Sequence, residues 1–440
     1  MSSHDEKVVI SGVGLITCFG VGINPLWDAM CEGRTGLHRI ERFDPSGFAC
    51  QVAGELGDEE FNVRKIVPKS HRKATKVMCR DTELAVGAAA NAVENAGLIT
   101  AGNSDETPTI APDRVGCHIG AGLISAELNE LGGALVNSKR EDGSFDLAHW
   151  GAEGMQNLSP LWLLKYLPNM LACHVTIVHD CQGPSNTITC CEASSGLSIA
   201  ESRRVIQRGD ADVCLSGGAE DRVNPLALYR QHCTGRLTET DGSGEMSSVV
   251  RPFSDTANGT VIGEGGGIMI VESATSCESR TGIPWCTIEG IGCRQSCTDS
   301  PLDADSQTIT SAINRALDEA KCSASDIDVI VPLGSGIKQV DGAERDGLTA
   351  VFGDALPSIP MITTIPYTGN CMAGNGAIGI GVAAKAIKEQ MIPARLGADS
   401  TVGLSAGTCN AKEMNINRIL LVTPSEGGQC VAMVLGRMGT

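Results

Sequence analysis

Three adjacent residues, Cys190, Cys191 and Glu192, could carry chemistry because of where they fall. They lie within residues 183–209 (GPSNTITCCEASSGLSIAESRRVIQRG), where a buried strand expected over 186–191 gives way to a helix that starts on small residues. Side chains at such a corner sit on the helix's first free N–H groups, where the macrodipole favours negative charge and depresses a thiol's pKa. A thiol nucleophile or a bound anion would suit the place. The acid–base partners that a nucleophile needs are unevenly spread, since all eight histidines lie at or before His232 and the second half has none. The 19 cysteines include no CxxC, and the neighbours Cys190 and Cys191 cannot easily bridge each other.

The helix of that corner is read from Leu197, Ile199, Ala200, Val205 and Ile206, with Glu201, Arg203 and Arg204 directed to solvent and Gly209 as the stop. With 440 residues the chain exceeds a single core, so two domains or fused halves are expected. Fifty-three glycines against 3% aromatics point to close helix-to-sheet contacts in a layered α/β fold. A net charge of −18 excludes nucleic acid as an expected partner. The opening MSSHDEKVVISGVG has neither a basic nor an apolar leader region, so reduced thiols in the cytoplasm are expected. Residues 356–384 are free of charge, but Pro357, Pro360 and Pro366 with Asn370 and Asn375 break them into strand, turn and helix, and no membrane span is expected. No cofactor or metal is implied.

In chain order, the pattern predicts a strand over 7–12 and then a glycine-rich turn (GVGLITCFGVG). A helix over 25–32, an alanine-rich helix over 74–95 and a strand over 114–122 follow. Residues 139–158 and 237–258 read as inserted loops, 160–171 as helix, and 212–218 and 261–272 as strands. The histidines read as core or surface residues, with His174 and His179 flanking an interface-like strand and carrying no base signature. Near Pro284 the pattern restarts, with residues 286–292 (CTIEGIG) echoing 9–14 (VISGVG). A helix over 306–320, strands over 327–333 and 361–365, and a second glycine-softened corner at YTGNCMAGNGAIGIG complete it. Two duplicated βα halves, 1–272 and 273–440, are therefore expected around a shared cleft.

The motifs VVISGVGLIT, NMLACH, GPSNT, RGDADVCLSGGAED, VIGEGGG, VDGAERDGL and TGNCMAGNGA, spread over nearly the whole chain, resemble the β-ketoacyl-acyl carrier protein synthases of the elongating type II class. The resemblance implies a thiolase-like, five-layered αβαβα fold made of two duplicated halves. It also implies a corner cysteine that takes an acyl chain, two histidines, and a lysine–glutamate pair. Matched without gaps, the cysteine position falls on Glu192, the histidines on Leu333 and Asn370, and the lysine on Ile365. The family's GFGG loop becomes Ser425, Glu426, Gly427 and Gly428, and only Glu264 of the catalytic set survives in type. A strand slipped by one residue would instead place Cys191 as nucleophile, though still without histidines.

A glutamate cannot form a thioester, and its charge would oppose a malonyl carboxylate. Decarboxylating relatives that replace the cysteine use neutral glutamine and keep their histidines. The nearer resemblance is to chain length factors, which do not condense and which pair with an active synthase. Lys69, Arg72 and Lys73 match positions at which elongating synthases dock acyl carrier protein. The expected partners are thus acyl carrier protein and an active synthase, as heterodimer, or a second copy, as homodimer. An active enzyme using Cys191 and an acyl-binding module without chemistry remain open alternatives.

Overall fold

Glycine decides how closely helices lie on this sheet. In the computed structural model, which describes residues 6–439 apart from 58, 105, 298, 398–403 and 405–409, strand β1 (Val8–Thr17) is buried throughout. Gly12 and Gly14 stand inside β1, so the glycine-rich turn expected there begins only at its far end. Their absent side chains make room for a helix. A Cβ at Gly14 would lie 2.1 Å from Ala88 O and one at Gly12 2.7 Å from Ala92 O, both on α1 (Arg80–Asn95). That helix is shorter than the expected 74–95, because 74–77 form a separate 3-10 turn.

Strand β2 (Val115–Gly120) is followed by α2 (Met170–His179), β3 (Ser185–Ile188), α3 (Ser194–Gln207), β4 (Val213–Asp221) and β5 (Ile262–Ser273). Their order across the sheet is β3-β2-β4-β5-β1, with β5 antiparallel to both neighbours and β4, β2 and β3 mutually parallel. The second half contributes β6 (Cys286–Gln295), α4 (Ser306–Ala320), β7 (Val329–Val331), α5 (Lys338–Phe352), α6 (Asn375–Glu389), β8 (Arg418–Pro424) and β9 (Gln429–Gly436).

The second half repeats the first strand for strand. Its order is β6-β9-β8-β7, antiparallel, antiparallel, then parallel. Met361 bridges Ile330 in parallel where β3 stands in the first half, so the strand expected over 361–365 shrinks to one bridge before a short helix at Ile365–Thr368. The sequence echo has its cause here too. A Cβ at Gly290 would lie 2.1 Å from Ala316 O and one at Gly292 1.9 Å from Ala312 O, so α4 rests on β6 as α1 rests on β1. The two halves join edge to edge where Val9 and Ile10 pair with Thr287 and Cys286.

Helices α3 and α6 lie between the two halves of the sheet, where Ile199, Val205, Ala377 and Ile380 share one core with residues of β1, β6, β8 and β9. Helices α1 and α2 cover one outer face and α4 and α5 the other, as the separate cores on each side show. The result is the five-layered αβαβα, thiolase-like arrangement. Among the described residues no helix is long and apolar enough to cross a membrane.

Other expectations need correcting. The buried strand over 186–191 is the shorter β3, which among the described residues pairs only with β2 and lies at the sheet edge with Ser185 and Asn186 exposed. The helix over 160–171 divides into Trp162–Lys165 and the start of α2, and α2 carries His174 and His179 buried on a helix instead of beside a strand. Arg203 does not reach solvent. It is buried, paired with Glu319 across the seam between the halves, and donates to Glu289 O at 3.2 Å.

Candidate functional site

Each half ends a strand-to-helix passage in the same strained way. A 3-10 turn, Cys191–Ala193 before α3 and Met372–Gly374 before α6, opens on a left-handed residue that is not glycine, Cys191 (φ 47) and Met372 (φ 44). Such a conformation costs roughly 1–2 kcal/mol and persists only where surroundings enforce it. Here one polar side chain does so in each half. Ser194 Oγ accepts from Cys190 N at 2.8 Å, and Asn375 Oδ1 accepts from Cys371 N at 3.0 Å. Ser195 Oγ donates to Ala373 O and ties one corner to the other.

Glu192 stands at the first corner and is fully buried. Its carboxylate takes three donors: Arg236 Nη2 as an ion pair, Asn370 Nδ2 at 3.3 Å and the backbone N of Glu426 at 3.1 Å. Asn370 is aimed by its own contacts, since its Oδ1 accepts from Met372 N at 2.8 Å and Asn375 Nδ2 at 2.6 Å. Arg236 is 1% exposed, and its Nη1 also donates to Glu426 Oε2 at 3.2 Å and Pro301 O at 3.3 Å. Burial works to raise the Glu192 carboxyl, but Arg236, the N–H groups of Glu192 and Glu426, and Asn370 offset it and hold the group below its ordinary range. Glu192 is therefore a paired carboxylate.

Glu192 and Asn370 are thus brought together, while Leu333 and Ile365 stand apart in chemistry. Both are buried in one apolar cluster with Val261, Ile262, Ile337 and Val340. The loop at Leu333 is held from α5, where the Glu344 carboxylate accepts from Leu333 N at 2.8 Å and Gly334 N at 3.0 Å, and Asp341 accepts from Ser335 N at 2.8 Å and Gly336 N at 3.0 Å. These are the carboxylates of the VDGAERDGL motif, and their work is to hold that loop. Ser425 to Gly428 form the turn between β8 and β9, with Gly427 and Gly428 left-handed. The turn gives its Glu426 N–H to Glu192 and so closes over the corner.

Residues 5–276 match the family model for the beta-ketoacyl synthase N-terminal domain, and residues 285–399 match that for its C-terminal domain. The chain belongs to the beta-ketoacyl synthase family. It is 27% identical over 394 residues to 3-oxoacyl-acyl-carrier-protein synthase 2 of Staphylococcus aureus, covering 89% of this chain and 87% of that protein. It is 27% identical over 438 residues to the granaticin polyketide putative beta-ketoacyl synthase 1 of Streptomyces violaceoruber, covering 98% of each. Among solved structures it is similar to the ishigamide ketosynthase/chain length factor, with 25% identity, a TM-score of 0.81, and 99% and 100% of the two chains covered. A beta-ketoacyl synthase from Burkholderia phymatum shares the fold at 22% identity, a TM-score of 0.82, and 98% and 100% coverage.

In this beta-ketoacyl synthase homologue, Glu264 bonds away from the corner. It accepts from Arg42, from Arg80 Nε at 2.7 Å and from Leu56 N at 2.9 Å, and it has no hydrogen bond to Glu192 or Asn370 among the described residues. Burial, then the charge of Asp221, raises its carboxyl against the two arginines. Cys191 has a thiol pushed up to about 12, first by burial and then by the charges of Glu192, Glu426 and Glu220. That environment is the reverse of an activating one. Among the described residues, buried His118 and His174 have no hydrogen-bond partner on either ring nitrogen, and His179 Nδ1 meets Thr100 Oγ1 at 2.9 Å, so none of these three is bonded into the corner. Lys69, Arg72 and Lys73 are exposed on and beside a 3-10 turn.

Arg236 is the residue that sequence reasoning missed. The one available signal was that a carboxylate predicted at a buried corner demands a counter-charge. Nothing local in TGRLT marks that arginine over the others.

Proposed function

We propose that this chain is a non-condensing, chain-length-factor-like subunit that pairs with an active synthase and works with acyl carrier protein in the cytoplasm. The observation that supports this reading is the closed corner, where Glu192, which the gapless match puts at the family's nucleophile position, is ion-paired with Arg236 and, among the described residues, bonded to no histidine or lysine. A carboxylate already satisfied by three donors offers neither a thioester nor room for a malonyl group. Likeness to a ketosynthase/chain length factor at 25% identity supports the same reading.

The open edge of β3, with the exposed Ile177 (53%) on the adjoining α2, supports that face as the subunit contact. The exposed Lys69, Arg72 and Lys73 support carrier docking at their own turn, against a chain with a net charge of −18. We take the two halves as 1–272 and 273–440, because the strand order begins anew after β5. The experiment is a condensation assay with acyl-carrier and malonyl-carrier substrates, with the chain alone and with each candidate synthase of its source. Activity only in the mixture is expected. Condensation by the chain alone, or purification as homodimers that never recruit a second synthase, would overturn the reading.

A further inference from the structure

We infer that Arg236, Asn370 and the Glu426 N–H form a carboxylate-binding site whose resident ligand is this chain's own Glu192. The inference rests on the non-condensing reading and names the chemistry that enforces it. Three donors from distant parts of the chain converge on one carboxylate: a guanidinium 44 residues on, an amide 178 residues on and a backbone N–H 234 residues on. None is a capping group of the helix that carries Glu192. A guanidinium that is 1% exposed also keeps its Nε buried and, among the described residues, without a hydrogen-bond partner, beside the occupied Nη2. That is more donor capacity than Glu192 uses. The site therefore has the charge, the directionality and the desolvation that select a carboxylate over a spherical anion.

Filled from within, such a site turns away an incoming acid-bearing acyl group. Emptied, it accepts a small one. Glu192→Ala removes the internal ligand and leaves the three donors in place. The probe is sodium acetate, with sodium malonate as a second carboxylate and sodium chloride at matched ionic strength as the control, read by the melting temperature of the full chain. For Glu192→Ala we expect acetate to raise the melting temperature by a few degrees with half-saturation in the millimolar range, with a far smaller response to chloride. The unaltered chain is expected to respond to neither.

If Glu192→Ala is recovered folded only when acetate is present, the inference is supported. Equal aggregation in acetate and chloride overturns it. Glu192→Ala/Arg236→Leu removes the guanidinium, folds without added anion on this reading, and must lose the acetate response; a retained response overturns the assignment. Failure here leaves the non-condensing reading standing, whereas condensation by the unaltered chain alone defeats that reading whatever Glu192→Ala binds.

Discussion

Replacing Arg236 by Met leaves the buried Glu192 carboxylate with Asn370 and one backbone N–H but no counter-charge. At a charge separation of about 4 Å and an effective dielectric of about 20, the lost attraction is about 4 kcal/mol. That agrees with the roughly 3–5 kcal/mol by which breaking one side of a buried pair destabilises a fold. The pH dependence has a definite sign. In the unaltered chain the lowered Glu192 carboxyl contributes stability above the ordinary value of 4.5 and loses it as pH falls through its lowered value. In Arg236→Met, burial, the largest influence on this carboxyl, is opposed only by hydrogen bonds, so the folded carboxyl rises above 4.5 and the variant loses stability as pH rises. Its deficit is therefore largest at pH 7 and narrows towards pH 5. Urea unfolding followed by circular dichroism at both pH values measures it, and Glu192→Gln/Arg236→Met closes the cycle by recovering most of the loss. A deficit below about 1 kcal/mol at pH 7, or one of equal size at both pH values, would refute the account of the corner.

Glu192→Cys supplies a thiol but no base, because Leu333, Ile365 and Asn370 cannot shuttle protons; carbon–carbon bond formation by this variant alone is expected to stay at background. Iodoacetamide at pH 7.5 with peptide mapping should label the exposed Cys233 and Cys297 well before Cys191, whose thiol is pushed up to about 12. Gly14→Ala and Gly290→Ala should each cost about 1–3 kcal/mol by driving a Cβ into a helix backbone, whereas Gly132→Ala, with open space around it, should be neutral or slightly stabilising in a melting comparison. Reversing Lys69, Arg72 and Lys73 to Glu should weaken acyl carrier protein binding at least about tenfold at low salt without changing the melting temperature, read by titration at two ionic strengths.

By itself the sequence determined the alternation of strands and helices, the restart near Pro284, the corner at 183–209 and the want of histidine beyond His232. These are local patterns or plain counts, and side-chain periodicity reports them without reference to distant parts of the chain. Even the echo between VISGVG and IEGIG was visible before its reason, since Gly12, Gly14, Gly290 and Gly292 occur in matching places whether or not a helix is seen to rest on them.

Only the tertiary structure decided what those features do. The glycines of β1 looked like a turn because glycine permits both a turn and a close approach, and the choice lies with α1, which is more than sixty residues away in sequence. β3 looked buried because its residue types suit any strand, yet its place at the edge follows from which strands pair with it. Arg203 sat at a position that helical periodicity sends to solvent, and the second half of the chain covers it. The corner changed most. A lone glutamate among small residues says nothing of its partner, and the guanidinium that fixes its charge arrives on a loop that local pattern cannot aim. Charge pairing acts through space and at short range, so only the folded chain could show which groups meet Glu192: Arg236 from a loop of the same half, and Asn370 and the Glu426 N–H from the other.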